Sequence, residues 1–260
     1  MARNPDQALQ HGDAGPLARP PKIRELLGQG QGSDFSRYRQ LIYPTRSLLR
    51  FLLFELATML LLPMPGGLGL MLRRKLLTPF FAAAGRNVII GRNCVFRHPQ
   101  RIFLGDCVVI DDYCLLDARG TGEEGMRLAA GVLLSRGVHV KSKSGAVYIG
   151  RDVNVGDGTQ ISSESGIWIG DGAAIAGACQ IAGGTFSMSE FNRPAPQRKS
   201  TSAGPIRIEA GAWIATGVMV LDGVCIGQDS IISAGSVVTR PVPARCIAQG
   251  NPARKVFDIR

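Results

Sequence analysis

IRIEAGAWIATGVMVLDGVCIGQDSIISAGSVVTR, residues 206–240, sets Ile208, Ile214, Val220, Ile226, Ile232 and Val238 six positions apart without a break. An α-helix repeats its apolar face every 3.6 residues and a lone strand every two, so a strict period of six belongs to neither alone. It describes a short strand plus a turn, repeated. The same unit (aliphatic, small, two polar or glycine positions) recurs upstream, as in Ile149-Gly150-Arg151-Asp152 and Val155-Gly156-Asp157-Gly158. The aliphatic residue points into a narrow prism, the small residue after it lets the chain bend, and the polar pair faces water.

Taken in threes, the inward positions are 104, 110, 116; 128, 134, 140; 149, 155, 161; 169, 175, 181; 208, 214, 220; and 226, 232, 238, preceded by a frayed coil at Ile90 and Phe96. Parallel stacking at roughly 4.8 Å per coil makes about seven coils a prism on the order of 30 Å tall. The expected fold is therefore an all-β parallel β-helix over 86–260 with a short α-helical segment before it. Composition agrees, with 33 glycines and only 6% aromatic residues in 260, as suits small corners rather than an aromatic core.

The formal charge is +10, and residues 1–85 hold 11 Lys/Arg against 5 Asp/Glu. A nucleic-acid surface would interleave such cations with exposed aromatics on one face, which the solenoid does not offer, so no nucleic-acid partner is expected. Cys94, Cys114 and Cys179 sit at small corner positions as fillers, while Cys107, Cys225 and Cys246 show no metal-ligand or disulfide spacing. No metal is expected, and a reducing cytosol is the simplest compartment.

Residues 1–35 lack a period and read as a flexible tail. Residues 36–85 hold two apolar stretches parted by Pro63-Met64-Pro65-Gly66-Gly67 and followed by Arg73-Arg74-Lys75. The stretch from Ser47 to Leu62 is shorter than the ~20 residues of a membrane span and carries Arg50 and Glu55. Two readings stand: a monotopic hairpin over 46–83 lying on the inner leaflet with its cations on headgroups, or a cap on the open first coil. Ala82-Ala83-Ala84 imitates a signal-peptidase site but comes too late and behind charge. A cytoplasmic protein at the inner membrane is expected.

The lattice breaks once at length, over residues 182–205, and a loop of this size in a solenoid is usually functional. The hexads, the IAGG entry at 181–184, and the closing AGSVVT (234–239) and GNPA (250–253) runs resemble the hexapeptide-repeat acyltransferases of the maltose acetyltransferase and polysaccharide O-acetyltransferase type. The resemblance covers residues 86–260. It implies a left-handed β-helix, a homotrimer, and acetyl-CoA or another acyl-CoA as co-substrate between subunits. It places Thr216, Ala234, Thr239, Arg240 and Arg254 at the acyl-CoA site, with Lys255 beside them for phosphate.

The family's chemistry uses a loop histidine as general base on an acceptor hydroxyl. A gapless placement puts Thr185 there, and threonine does not titrate near neutrality. Two substitutes are candidates. His139 precedes inward Val140, so it faces outward in the column of Gln160 and Gln180, roughly 10 Å along the prism from the latter. Glu190, in the loop itself, becomes a base if burial raises its pKa. The implied function is acyl-CoA-dependent O-acyl transfer to a sugar of a surface polysaccharide or glycolipid. The alternative is an inactive scaffold or regulatory subunit partnered with an active relative.

Overall fold

A computed structural model describes residues 33–260 except 188, 190, 191, 195 and 196. The chain winds into a parallel β-solenoid of about seven turns whose three faces carry the three inward columns. On the first face Leu104 pairs with Leu128, and Ile149 with Ile169 and then Ile208. On the second, Ile110, Leu134, Val155, Ile175, Ile214 and Ile232 are successive partners. On the third, Leu116, Val140, Ile161, Ile181, Val220 and Val238 are. The long loop costs no register, since Ile167–Ile169 pairs directly with Ile206–Ile208 across it. The first turn is not frayed: Ala83–Ala84 pairs with Phe103 and Leu104 and joins Ile90 and Phe96 to complete it.

The inward residues are almost wholly shut from solvent, forming one continuous core up the prism axis. Their burial is the main driving force for coiling, because each strand before the closing pair Cys246–Gly250 and Ala253–Asp258 is only two to four residues long and could not persist alone. The small residue after the aliphatic one owes its size to neighbouring coils as much as to the bend. A Cβ on Gly170 would lie 2.5 Å from the Ala210 amide nitrogen, and one on Gly156 would lie 2.5 Å from that of Gly177. Gly170→Ala is expected to lower stability by about 1–3 kcal/mol in urea titration, since the obstacle is backbone. Cys94 and Cys114 fill corners in the same way; burial pushes their thiols up to about 12 and about 11.

Three helices precede the solenoid: α1 (Asp34–Ile42), α2 (Leu48–Leu61) and α3 (Gly66–Leu76). The tail expected over 1–35 lies outside the described residues up to 32, and Ser33 already caps α1 by accepting from the Ser36 amide. Ser47 caps α2 in the same way through the Arg50 amide. These helices cover the solenoid's open first turn. The Ile89 and Gly91 amides donate to the second turn, so the Ile90 carbonyl faces the uncovered edge. It accepts from Arg73 Nε at 2.7 Å, while Arg73 Nη1 donates to the carbonyls of Leu61 and Met64 at 3.0 and 2.6 Å.

Arg73 is only 2% exposed, so this cation is internal and cannot meet a headgroup, contrary to the expectation for the Arg73-Arg74-Lys75 cluster. Arg74 and Lys75 remain exposed, the former bonding Asn87 Oδ1 at 3.0 Å.

His98 ties α1 to the same end. Its amide donates to the Ile42 carbonyl, and its ring Nε2–H donates to the Gln40 carbonyl at 2.9 Å. Burial outweighs that carbonyl and holds the ring pKa at about 4, down from 6.5. Folding therefore excludes a proton that the unfolded chain takes up. The penalty is absent above pH 6.5, grows as pH falls toward 4, and levels off below it, reaching about 3 kcal/mol. Release of α1 over that window, followed by amide exchange at residues 34–42, is the expected result, and His98→Gln should flatten it.

Candidate functional site

Four residues separate each inward position on the second face from the next strand on the third. These turns stack into an edge. On its second-face side the outward column reads Leu133, Asn154, Ala174, Trp213, Ile231. Ala174 leaves a gap between Asn154 and the half-exposed indole of Trp213, and a groove of about 400 Å³ follows, open to solvent and floored by Gly156 and Ala176 with Ser135 and Asp157 at the edge. Nothing in the sequence reading singled out Trp213, Asn154 or Asp157. The available signal was an aromatic residue at an outward position whose lattice neighbour is alanine.

Around the same edge, on the third face, His139 stands between Leu115 and Gln160, with Gln180 next along. Its coil is the one that lends Ser135 to the groove. The ring is half-buried, and desolvation together with the charge of Lys141 lowers its pKa, so the neutral, proton-accepting form prevails at pH 7. Lys143, two residues further on, is held elsewhere: its Nζ donates to Glu164 Oε1 at 2.7 Å.

Thr216 and Ala234 lie on this edge in adjacent turns, where the Gly235 amide donates to the Thr216 carbonyl at 3.0 Å. Both are exposed. Thr239 and Arg240 are not with them. They follow the third-face strand Val237–Val238 and lie on the opposite edge, between the third face and the first. The long loop leaves from that opposite edge too. Thr185 is exposed there and pairs in a short antiparallel hairpin, Thr185–Phe186 against Ser200–Thr201. The loop base is pinned by Ser202, whose Oγ lies 2.8 Å from Ser165 Oγ and 3.0 Å from Asp222 Oδ1. Glu190 lies outside the described residues.

Arg254 sits on the final strand, Ala253–Asp258, which runs antiparallel to Cys246–Gly250 and extends the second face. It is exposed, whereas Lys255 pairs with Asp258 at 2.5 Å. One chain therefore brings Thr216, Ala234, the groove and His139 to one edge. It leaves Thr185, Thr239 and Arg240 across the third face from them.

Among the described residues no group of three or more His, Cys, Asp or Glu side chains is placed to hold a metal ion, and no helix is long and apolar enough to cross a membrane.

The family model described as bacterial transferase hexapeptide (six repeats) matches residues 205–240. A Staphylococcus aureus protein named "Putative acetyltransferase SACOL2570" is 49% identical over 57 residues, 22% of this chain and 29% of that protein. A Schizosaccharomyces pombe protein, "Putative acetyltransferase C18B11.09c", is 48% identical over 55 residues, 21% of this chain and 27% of that one. The match thus spans less than a third of either relative's length. Among solved structures, AntD, an N-acyltransferase from Bacillus cereus in complex with dTDP and 3-hydroxybutyryl-CoA, superposes at TM-score 0.52 with 21% identity, covering 72% of this chain and 88% of that one. That likeness is one of fold. The six-residue lattice and the matches within it make this chain similar to the hexapeptide-repeat acyltransferases, most directly over residues 205–240.

Proposed function

We propose that this chain is an acyl-CoA-dependent O-acyltransferase, with acetyl as the transferred group and a hydroxyl of a surface polysaccharide or glycolipid sugar as acceptor. The observation that carries the reading is a hexapeptide lattice with an open groove along one edge and a neutral-leaning imidazole on the third-face strand that follows the same edge. CoA held on the same fold in the AntD complexes supports the co-substrate. His139 takes the acceptor proton, the oxygen attacks the thioester carbonyl, and the tetrahedral intermediate collapses to ester and CoA thiolate, which recovers a proton. Glu190 is the other candidate base. Thr216 and Ala234 line the pantetheine arm, and Thr239, Arg240 and Arg254 meet the phosphate end. Because Thr239 and Arg240 lie on a different edge of the chain from Thr216 and Ala234, the reading requires a homotrimer in which a neighbouring copy supplies them. On this reading residues 46–83 hold the enzyme at the inner leaflet, where lipid-linked glycans are built.

A specific observation favours a second reading. Thr185, which the gapless placement sets at the family's histidine position, lies exposed in a hairpin with nothing titratable near neutrality in its own side chain. On that reading the chain is a scaffold in mixed trimers with an active relative. Release of CoA from acetyl-CoA by the purified chain, with and without a glycan acceptor, separates the two. Acceptor-dependent release supports the enzyme, and tight CoA binding without release supports the scaffold.

A further inference from the structure

The cap has an inner and an outer face, and both are apolar. Phe51, Phe54 and Leu61 of α2 are buried toward the solenoid, with Phe54 against Tyr43 and Phe80 at ring-centroid distances of 5.0 and 5.3 Å. On the other side Leu49, Leu52, Leu56 and Met59 recur at helical spacing and are 48–67% exposed. In α3, Leu68 and Met71 are 65% and 71% exposed. Eleven Leu and Met side chains of the two helices stand at least 40% exposed, well past the few hundred Å² of apolar patch that a monomeric protein normally tolerates. A helix apolar all round is a helix covered on both sides.

Three observations say what covers it. First, charge: residues 34–81 carry seven Lys/Arg and two Asp/Glu, and both acids are occupied, Asp34 with Arg37 and Glu55 with the Tyr38 hydroxyl. Exposed Arg46 precedes α2, and exposed Lys75 lies on the same side of α3 as Leu68 and Met71. Second, length: α2 has 14 residues, so at 1.5 Å each it measures about 21 Å, less than the ~30 Å of a hydrocarbon core. Third, placement: the helices close the solenoid's N-terminal end, so whatever meets their outer face meets the prism end-on.

Resting on the reading of an acyltransferase for surface glycans, we infer that the outer face of α2 and α3 lies in the plane of one leaflet of an anionic bilayer, with the solenoid standing on its N-terminal end. The geometry fixes the acceptor's reach. The groove belongs to the third through sixth turns, so it stands roughly 10–25 Å from the first turn, and the sugar it receives is tethered to lipid by a spacer of that order.

The test needs no substrate, so failed catalysis leaves it intact. Full-length protein is floated with vesicles of 30% phosphatidylglycerol in phosphatidylcholine, or of phosphatidylcholine alone. Flotation with the anionic vesicles is expected, with roughly fivefold weaker partition for each of Arg46→Ala and Lys75→Ala. The triple change Leu52→Ser, Leu56→Ser, Met59→Ser should reduce partition at least tenfold while circular dichroism stays that of the parent, and Leu52→Phe should preserve it.

In a Cys107→Ser background, dyes at Met71→Cys and Leu56→Cys are expected to be quenched by bromines high in the acyl chains, and a dye at Asp258→Cys is not. Absence of flotation in both vesicle types overturns the inference. So does a dye at residue 56 or 71 already buried without lipid, which would mean that a second copy or residues 1–32 cover the face.

Discussion

Arg73→Met should cost about 3–5 kcal/mol at the N-terminal end of the molecule, the largest stability loss expected of any single substitution outside the solenoid core. The guanidinium holds three carbonyls from three places: Leu61 at the end of α2, Met64 in the turn after it, and Ile90 on the open edge of the first coil. Methionine fills much of the volume but donates nothing, and each carbonyl stranded away from water costs about 1–3 kcal/mol. The cation also faces the negative end of α2, which adds a favourable dipole term. Gly69 belongs to the same lock, since a Cβ there would lie within 2.9 Å of Arg73 Nη1.

Coils contact only their neighbours, so the loss should appear as detachment of the cap before the prism unwinds. Amide exchange at residues 48–76 should accelerate by two or more orders of magnitude, at about tenfold per 1.4 kcal/mol, while exchange in the third to sixth turns changes little. Arg73→Lys, a point charge on a flexible stem, should recover only part of the difference. Unchanged exchange over 48–76 in Arg73→Met would show that the contacts with Phe51, Phe54 and Leu61 suffice to hold the cap.

That lock shows where the sequence stops being informative. The columns were legible because burial forces one aliphatic residue to recur at each face, so the period alone assigned Ile169, Ile175 and Ile181 to three sheets and carried the register over the long loop. Arg73 was not legible. Its partners are main-chain carbonyls, which leave no mark on residue type, and read linearly it belonged to a basic cluster fit for headgroups. Ala83 and Ala84, which imitate a cleavage site, in fact complete the first turn, a role set by the pairing partners Phe103 and Leu104 and not by their own side chains.

The candidate site divides in the same way. Parity along a strand was enough to send His139 outward beside Gln160. The groove depends on the contrast between Ala174 and Trp213, residues far apart in sequence that become neighbours only once the intervening loop is set aside. The edges mattered most. Thr216 and Arg240 come from one continuous motif, yet a full strand of the third face separates their turns, so membership of a motif did not amount to a shared site within one chain.

On the proposed reading, His139 is the residue whose loss has the largest expected effect on turnover. If the imidazole is the general base, His139→Ala should reduce acceptor-dependent CoA release by 10²–10⁴-fold with little change in CoA affinity, because the ring meets the acceptor proton and not the nucleotide. The pH profile carries the sharper test. Desolvation and Lys141 lower the His139 pKa from its ordinary 6.5, so turnover should climb with pH to a plateau reached at or below neutrality. Lys141→Gln removes one of those causes, so the folded pKa rises and the climb moves to higher pH. A residue of merely structural importance would lower the rate without moving the profile.

Thr185→His provides the counter-experiment. Should the parent bind CoA yet release none, and the Thr185→His protein turn over, the base belongs in the loop and His139 is a surface histidine. Should His139→Ala abolish turnover in the parent while Thr185→His adds little to it, proton transfer has moved from the loop, on one edge of the third face, to His139, on the strand beside the other.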